Sequence, residues 1–224
     1  MSDEYTVKEV VEPRSGKVHR LYAYKGKPCR RVVLESRLSA QLAGYTLIEK
    51  DLRSVGIWLA EIDEIHSDGP MRKGEHYAHG SDRKVYNVIK GLFVAALTFY
   101  GKSFSRCEGR PVKLERAQLG DEFRLTHDQC MKFRHNFAAH SGAARLEHVA
   151  IALVLPLKAK RPVLPKLYRE LFQPDLVAPS QGEVQLAQLV QHARSIAVAK
   201  IELLSAKILK DEVYPMGQDY WLRK

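Results

Sequence analysis

The sequence contains few cysteines, no long apolar run and no excess of acidic residues. Cys29, Cys107 and Cys130 share no ligand-like spacing, which argues against a disulfide framework and a zinc site and favours a reducing compartment. The polar, acidic N-terminus lacks the apolar segment of a signal peptide, and the stretch GLFVAALTFYG is far shorter than a membrane span. We therefore expect a cytoplasmic protein with no membrane partner.

The motifs of several enzyme classes are missing as well. The sequence has no Gly-x-Ser-x-Gly elbow, no Cys/His pairing that suggests a nucleophile and no cluster of carboxylates. Gly101-Lys102-Ser103 resembles the end of a P-loop, but Ala96 stands where that loop needs a glycine, and the preceding residues have helical periodicity. His76 and His79 lack further ligands at coherent spacing. We expect neither a metal nor a cofactor.

Positive charge, in contrast, is abundant. The 36 Lys and Arg residues outnumber 26 Asp and Glu, which gives a formal net charge of +10. Such a chain attracts polyanions because binding releases their counterions, and nucleic acid is the first polyanion to consider. A solvated basic surface without a dedicated partner is the alternative interpretation.

Periodicity divides the chain into a basic, β-rich segment, residues 1–34, and a helical part, residues 35–224. The predicted helices run over about 35–66, from a cap at Ser81 or Asp82 to about residue 100, over about 126–141, and from Ser180 to about residue 213. A strand at 148–157 and a proline-rich connection are inserted at about 146–180. We predict a mainly α protein of the α+β class. Its expected architecture is an antiparallel four- to five-helix bundle with a small N-terminal or peripheral β element.

The stretch FRHNFAAHSG, residues 133–142, ends the third predicted helix. Cys130, Phe133 and Phe137 fall on one apolar stripe at about 100° per residue. Arg134 and His140 lie at the two edges of that stripe. A purely structural role is open for both, because an arginine stem can cover apolar surface and a histidine can cap the last carbonyls of a helix.

Three further polar residues are expected to have structural or surface positions. His127 and Asp128 stand where the third helix is predicted to begin, so we expect them to cap it. His192 lies beside Gln191 on the last helix, and we expect it to be exposed.

The segment Arg134-His135-Asn136-Phe137-Ala138-Ala139-His140 resembles the Arg–polar–x–His motif of HEPN domains, with His135 as the polar residue after the arginine. The helices on both sides are similar to the family's bundle over roughly residues 35–210. The resemblance implies metal-independent RNA cleavage, often in toxin–antitoxin, abortive-infection or other defence systems. It further implies a homodimer in which two motif helices face one cleft.

The resemblance implies Arg134 and His140 as the catalytic pair, with His135 or Asn136 in support. An imidazole titrates near neutral pH and is suited to accept the ribose 2′-OH proton or to protonate the leaving oxygen. A guanidinium stays charged and grips phosphate oxygens. Further basic side chains are expected either to guide the RNA backbone or to form a solvated face: Lys102, Arg106, Arg110 and Lys132.

Two other functions stay open at this point. In the first, the protein is a non-catalytic HEPN-like module that binds nucleotide, nucleic acid or a protein partner. In the second, it is a helical regulator that binds duplex DNA through basic residues of the N-terminal segment such as Arg14, Arg20 and Arg30. For the ribonuclease, the expected partners are RNA, a second copy of the chain and, in a toxin–antitoxin system, an antitoxin protein.

Overall fold

The computed structural model describes residues 4–68, 83–135, 148–156, 164–172 and 185–224. The protein is α+β, with long helices and two small antiparallel sheets. Contacts within the chain define two compact units: Met1–Ala40 with Leu203–Lys224, and Gln41–Glu202.

The first unit contains a three-stranded sheet in the order β1 (Tyr5–Val11), β2 (Val18–Tyr24) and β3 (Lys27–Pro28). All neighbours are antiparallel, and the β1–β2 register places Tyr5 opposite Tyr24 and Val11 opposite Val18. A tight turn joins β2 to β3, with positive φ at Lys25 and Gly26. These strands confirm the β-rich character predicted for the N-terminal segment.

The last part of the predicted β-rich segment, residues 29–34, forms no strand. On the edge of β2 that faces away from β1, the strand bonds only to β3 and to Cys29. The Cys29 N–H donates to the Tyr22 carbonyl at 2.8 Å. Pro28 has no N–H to donate to a ladder. After Cys29 the described chain has no regular structure until helix α1 (Arg37–Asp68) begins.

The second unit is built on four helices: the greater part of α1, α2 (Arg83–Ser103), α3 (Asp121–Phe133) and the greater part of α4 (Leu186–Ile208). All four supply side chains to one apolar core, as the 3.6-residue periodicity predicts. Its buried members are Ile48, Leu52, Val55, Leu59, Ile62, Ile89, Ala96, Leu97, Tyr100, Phe104, Leu114, Leu119, Cys130, Leu189, Val190, Ala193 and Ala197.

Helix α3 begins at Asp121, five or six residues before the predicted start at Thr126 or His127. Gly120 is its N-cap residue. The acidic side chains of Asp121 and Glu122 in the first turn stabilise the helix because they lie at the positive end of its dipole. His127 therefore lies in the middle of the helix, and the capping role predicted for it is wrong. Ser141 and Gly142, where the helix was predicted to end, lie outside the described residues, as do Ser81, Asp82 and Ser180.

The predicted strand at 148–157 is present as β4 (His148–Val154), but its partner was not foreseen. β4 pairs with β5 (Lys166–Phe172), antiparallel, with Ile151 opposite Arg169. The sequence analysis assigned this region to a proline-spaced connection. Pro165 and Pro174 flank the strand instead of interrupting it, so neither blocks the ladder.

The C-terminal residues add a π-type turn (Leu209–Val213), a 3₁₀ turn (Tyr214–Met216) and α5 (Gln218–Arg223), which the sequence analysis did not predict. They belong to the first unit, where the Ser36 hydroxyl donates to the Glu212 carboxylate at 2.7 Å. The indole N–H of Trp221 donates to the Val213 carbonyl at 3.1 Å.

Candidate functional site

The core-facing side of α3 leads directly to Arg134. Phe123 packs against the core, and His127 and Cys130 are buried, at positions i, i+4 and i+7. Arg134, at i+11, continues this side of the helix and is half-buried. Phe133, which the sequence analysis placed on the apolar stripe, is 40% exposed. The stripe therefore runs through Arg134 and not beside it.

His127 is part of the core of the second unit. Its Nδ1 lies 2.8 Å from the Tyr100 hydroxyl, and its ring packs against Phe104 with centroids 4.5 Å apart. Burial lowers the pKa of His127, and it raises the pKa of Tyr100 above its usual range. A neutral imidazole bonded to a phenol is a structural arrangement, and it leaves this histidine out of reach of a substrate.

Asp128 and His192 also differ from their predicted roles. The carboxylate of Asp128 accepts two hydrogen bonds from the Arg116 guanidinium, both of 2.7 Å, and these lower its pKa. His192 is half-buried, whereas exposure was predicted. Its Nε2 accepts the Gly120 N–H at 3.2 Å, and its ring stacks on Phe123 at 4.3 Å. It thus helps to hold the start of α3.

Arg134 rests on the last turn of α2. Its side chain covers Gly101 so closely that a Cβ at Gly101 would lie 2.1 Å from the Arg134 Cδ and 2.7 Å from its Nε. The backbone of Arg134 keeps a helical conformation, and its N–H bonds to the carbonyls of Cys130 and Met131. The glycine therefore provides the space in which the arginine lies.

The guanidinium of Arg134 is not needed to cap α2. The Gly101 carbonyl accepts hydrogen bonds from the Phe104 N–H and the Ser105 hydroxyl, and the Lys102 carbonyl accepts from the Ser105 N–H and from Arg110. Within the described part of the chain, the Arg134 side chain has no hydrogen bond or ion pair. The negative end of the α2 dipole lies beside it and favours a cation there.

A buried charge cluster lies next to this end of α2. The Asp51 carboxylate of α1 is 1% exposed and lies 3.0 Å from the Lys102 Nζ, 3.2 Å from the Lys50 Nζ and 3.9 Å from the Arg110 guanidinium. Arg110 also donates from its Nε to the Val112 carbonyl at 3.1 Å. The cluster joins α1, the end of α2 and the connection that follows it.

The predicted RNA-guiding cations occupy different environments. Arg106 and Lys132 are exposed, and Lys102 is half-exposed with its ammonium directed to Asp51. The side chain of Arg110 is only 3% exposed, and a direct contact with RNA needs an exposed guanidinium. Its position near the buried Asp51 explains why a basic residue of this surface loop is withdrawn from solvent.

Of the predicted catalytic motif, the structure describes Arg134 and His135. His135 is exposed. Asn136 and His140 lie outside the described residues, so the Arg134–His140 pair stays a prediction. No group of three or more His, Cys, Asp or Glu side chains that could hold a metal ion occurs among the residues described.

Sequence reasoning missed Gly101 and Asp51. In the sequence, Gly101 stands out only as part of an incomplete P-loop motif. Asp51 follows Ile48 by three residues and precedes Val55 by four, so it stands on the apolar face of α1. A carboxylate in such a position indicates a buried ion pair, and this signal was available in the sequence.

Comparison of the chain with protein-family models, with curated proteins and with solved structures found no match. Within the described ranges, no helix has the length and apolar character needed to cross a membrane.

Proposed function

We propose that the protein is a metal-independent endoribonuclease of the HEPN type, in which Arg134 and His140 are the catalytic pair. The observation that carries the proposal is the setting of Arg134: a half-buried side chain, held on Gly101, with no hydrogen bond or ion pair among the described residues. A guanidinium held in one place and not used by neighbouring protein groups is available to bind an anion in a fork geometry. A phosphate of RNA supplies the matching anion.

The reaction follows from the chemistry of the two side chains. His140 accepts the proton of a ribose 2′-OH, whose oxygen attacks the adjacent phosphorus. The 5′-oxygen leaves after taking a proton from the imidazolium of the second copy, which yields a 2′,3′-cyclic phosphate and a 5′-hydroxyl. Arg134 stabilises the negative charge on the phosphoryl oxygens during the attack.

The scaffold for this reaction is proposed to be an antiparallel four- to five-helix bundle that dimerises through its motif helices. His135 or Asn136 is proposed to orient the phosphate or the imidazole. Arg106, Lys132 and the exposed part of Lys102 contribute positive potential for the RNA backbone. A protein that cleaves cellular RNA needs a restraint, and an antitoxin protein is the proposed partner for that purpose.

The test is cleavage of a mixed RNA pool in EDTA by the wild type and by the variants His140→Ala and Arg134→Ala. Folding of each is checked by circular dichroism. We expect 2′,3′-cyclic phosphate ends from the wild type and loss of at least about 100-fold in rate for each variant, as for removal of a general base or a charge-stabilising group. Arg53→Ala, an exposed arginine of α1 that pairs with Glu49, is the matched control and should leave the rate unchanged.

Two results would contradict the ribonuclease proposal. Equal cleavage by the folded variants would trace the activity to another site or to a contaminant. No cleavage by any form would favour the non-catalytic HEPN-like module, in which Arg134 binds an anion without chemistry.

A further inference from the structure

A groove in the first unit runs along the outer side of β2, opposite β1. It has a volume of about 600 Å³, and its lining includes Lys17, His19, Arg20, Tyr22 and Arg31. The four basic residues are exposed, and Tyr22 is half-buried. The groove forms because the chain leaves the sheet after Cys29, so that β3 covers only the last residues of β2.

The uncovered part of β2 offers backbone donors as well as cations. Among the described residues, Val18–Leu21 pair with β1 only. The Lys25 N–H bonds to the Glu4 carbonyl and the Lys17 carbonyl accepts the Glu12 N–H, so the odd-numbered residues of β2 bond to β1. Because bonding alternates along a strand, the N–H groups of Val18 and Arg20 face the open side.

The charge of this region matches a polyanion. Residues 4–35 contain eight Lys and Arg against four Glu. One of those glutamates, Glu9, pairs with Arg20 at 2.9 Å, and both side chains are more than half exposed. Arg20 is therefore partly neutralised in the absence of a ligand, whereas no ion pair of Lys17 or Arg31 occurs in the described part of the chain.

We propose that this groove binds the backbone of single-stranded RNA, with Arg20 and Arg31 on phosphates and the Tyr22 ring available to a base. Cations that follow a groove, together with an aromatic ring, are the usual elements of single-strand recognition. A ribbon that reads duplex DNA instead inserts a protruding face into the major groove, and this site is concave. The choice of RNA as the ligand rests on the proposed function. The groove and its positive charge are observed independently of that function.

The test measures binding separately from cleavage. The ligand is a fluorescent RNA of about 16 nucleotides, the upper length for one small single-strand site. Its 2′-oxygens are methylated, so no 2′-OH is present to attack the phosphorus and the RNA cannot be cleaved. Its affinity for the full chain is measured by anisotropy as a function of salt. The double variant Arg20→Gln/Arg31→Gln should bind about tenfold more weakly, and its log–log salt slope should fall by about 1.4, the value for two lost phosphate contacts on a single strand.

Two single variants sharpen this test. Arg14→Gln removes the same charge from the exposed turn between β1 and β2, outside the groove, and should change the affinity less than about twofold. Glu9→Gln releases Arg20 from its ion pair and should tighten binding by about two- to threefold. A gain in affinity is the opposite of the effect expected if the substitution disrupted the folded groove.

Three results would overturn the groove proposal: equal losses for Arg14→Gln and the double variant, equal affinity for duplex DNA of the same length, or no binding of the RNA. The proposed function fails independently. RNA binding with the expected variant effects but without cleavage would reject the ribonuclease proposal and support the groove proposal. RNA cleavage together with unchanged binding by the double variant would support the ribonuclease proposal and reject the groove proposal.

Discussion

Arg134 occupies a position that helical periodicity assigns to the core of the second unit. Its stem lies on Gly101, which leaves the guanidinium at the edge of the buried region. An aliphatic stem covered by protein with its charged end near solvent is a common arrangement for arginine. What distinguishes this one is that the nearby carbonyls of Gly101 and Lys102 are bonded to other donors, which leaves the guanidinium available to a ligand.

Gly101→Ala should separate catalysis from stability. The new Cβ collides with the end of a flexible side chain, so Arg134 moves at small cost while alanine favours the helix by up to about 1 kcal/mol. We expect an unfolding free energy within about 1 kcal/mol of wild type and an RNA cleavage rate reduced by about tenfold or more. Denaturant unfolding and cleavage assays measure the two effects.

Gly91→Ala is the control for that substitution. Gly91 lies in the same helix, and a Cβ there meets no atom within 4 Å. This variant should gain about 0.5–1 kcal/mol of stability and cleave RNA at the wild-type rate. If both alanine variants retain full activity, the contact between Gly101 and Arg134 has no role in catalysis.

His127 should make the protein sensitive to acid. Burial lowers its pKa in the folded state, so the unfolded state binds more protons as the pH falls through the ordinary histidine value of about 6.5. Stability should therefore be highest above that pH and decline below it, by at most about 1.4 kcal/mol per pH unit for one proton.

The measurement is denaturant unfolding at pH 7.5, 6.5 and 5.5 for the wild type and His127→Gln. Glutamine keeps a hydrogen-bonding group beside the Tyr100 hydroxyl but does not titrate in this range. Its unfolding free energy should depend less on pH than that of the wild type. Identical pH dependence in the two proteins would show that His127 is not the responsible group.

At the scale of elements, the ion cluster around Asp51 connects α1 to the connection after α2. Asp51→Asn leaves the buried Arg110 guanidinium without its anion, and breaking a buried pair in this way typically costs about 3 kcal/mol or more. The exposed Asp128–Arg116 pair provides the matched control. Asp128→Asn should cost less than about 1 kcal/mol.

Chemical denaturation of the two Asp→Asn variants measures the difference. The double variant Asp51→Leu/Arg110→Met removes both charges and should recover most of the lost stability, because the desolvation cost disappears with them. Equal effects of Asp51→Asn and Asp128→Asn would mean that the Asp51 carboxylate is solvated in solution.

The elements were predictable where the signal is local. Helical spacing located α1 and α2 to within a few residues. Turn residues located β1 and β2, and β-branched, apolar composition located β4. The start of α3 was missed because its first turn contains a single apolar residue, Phe123, so helical periodicity gives little signal there. β5 was missed because flanking prolines were read as interruptions.

At the scale of the whole molecule, the α+β class could be predicted, but the grouping into units could not. Contacts group residues 203–224 with the N-terminal sheet. That association depends on contacts such as the Ser36–Glu212 hydrogen bond, which join positions 176 residues apart. Periodicity reports which face of an element is buried and carries no information about a contact so distant along the chain.

The glycine beneath Arg134 also affects how related chains should be compared. Helix stability alone gives no reason for a glycine here, since alanine is the better helix former. A lineage should therefore retain glycine at this position only while its arginine is used. Homologues that keep both the arginine and the histidine but carry a larger residue at this position would lack the space that the arginine occupies. We expect such homologues to have no ribonuclease activity.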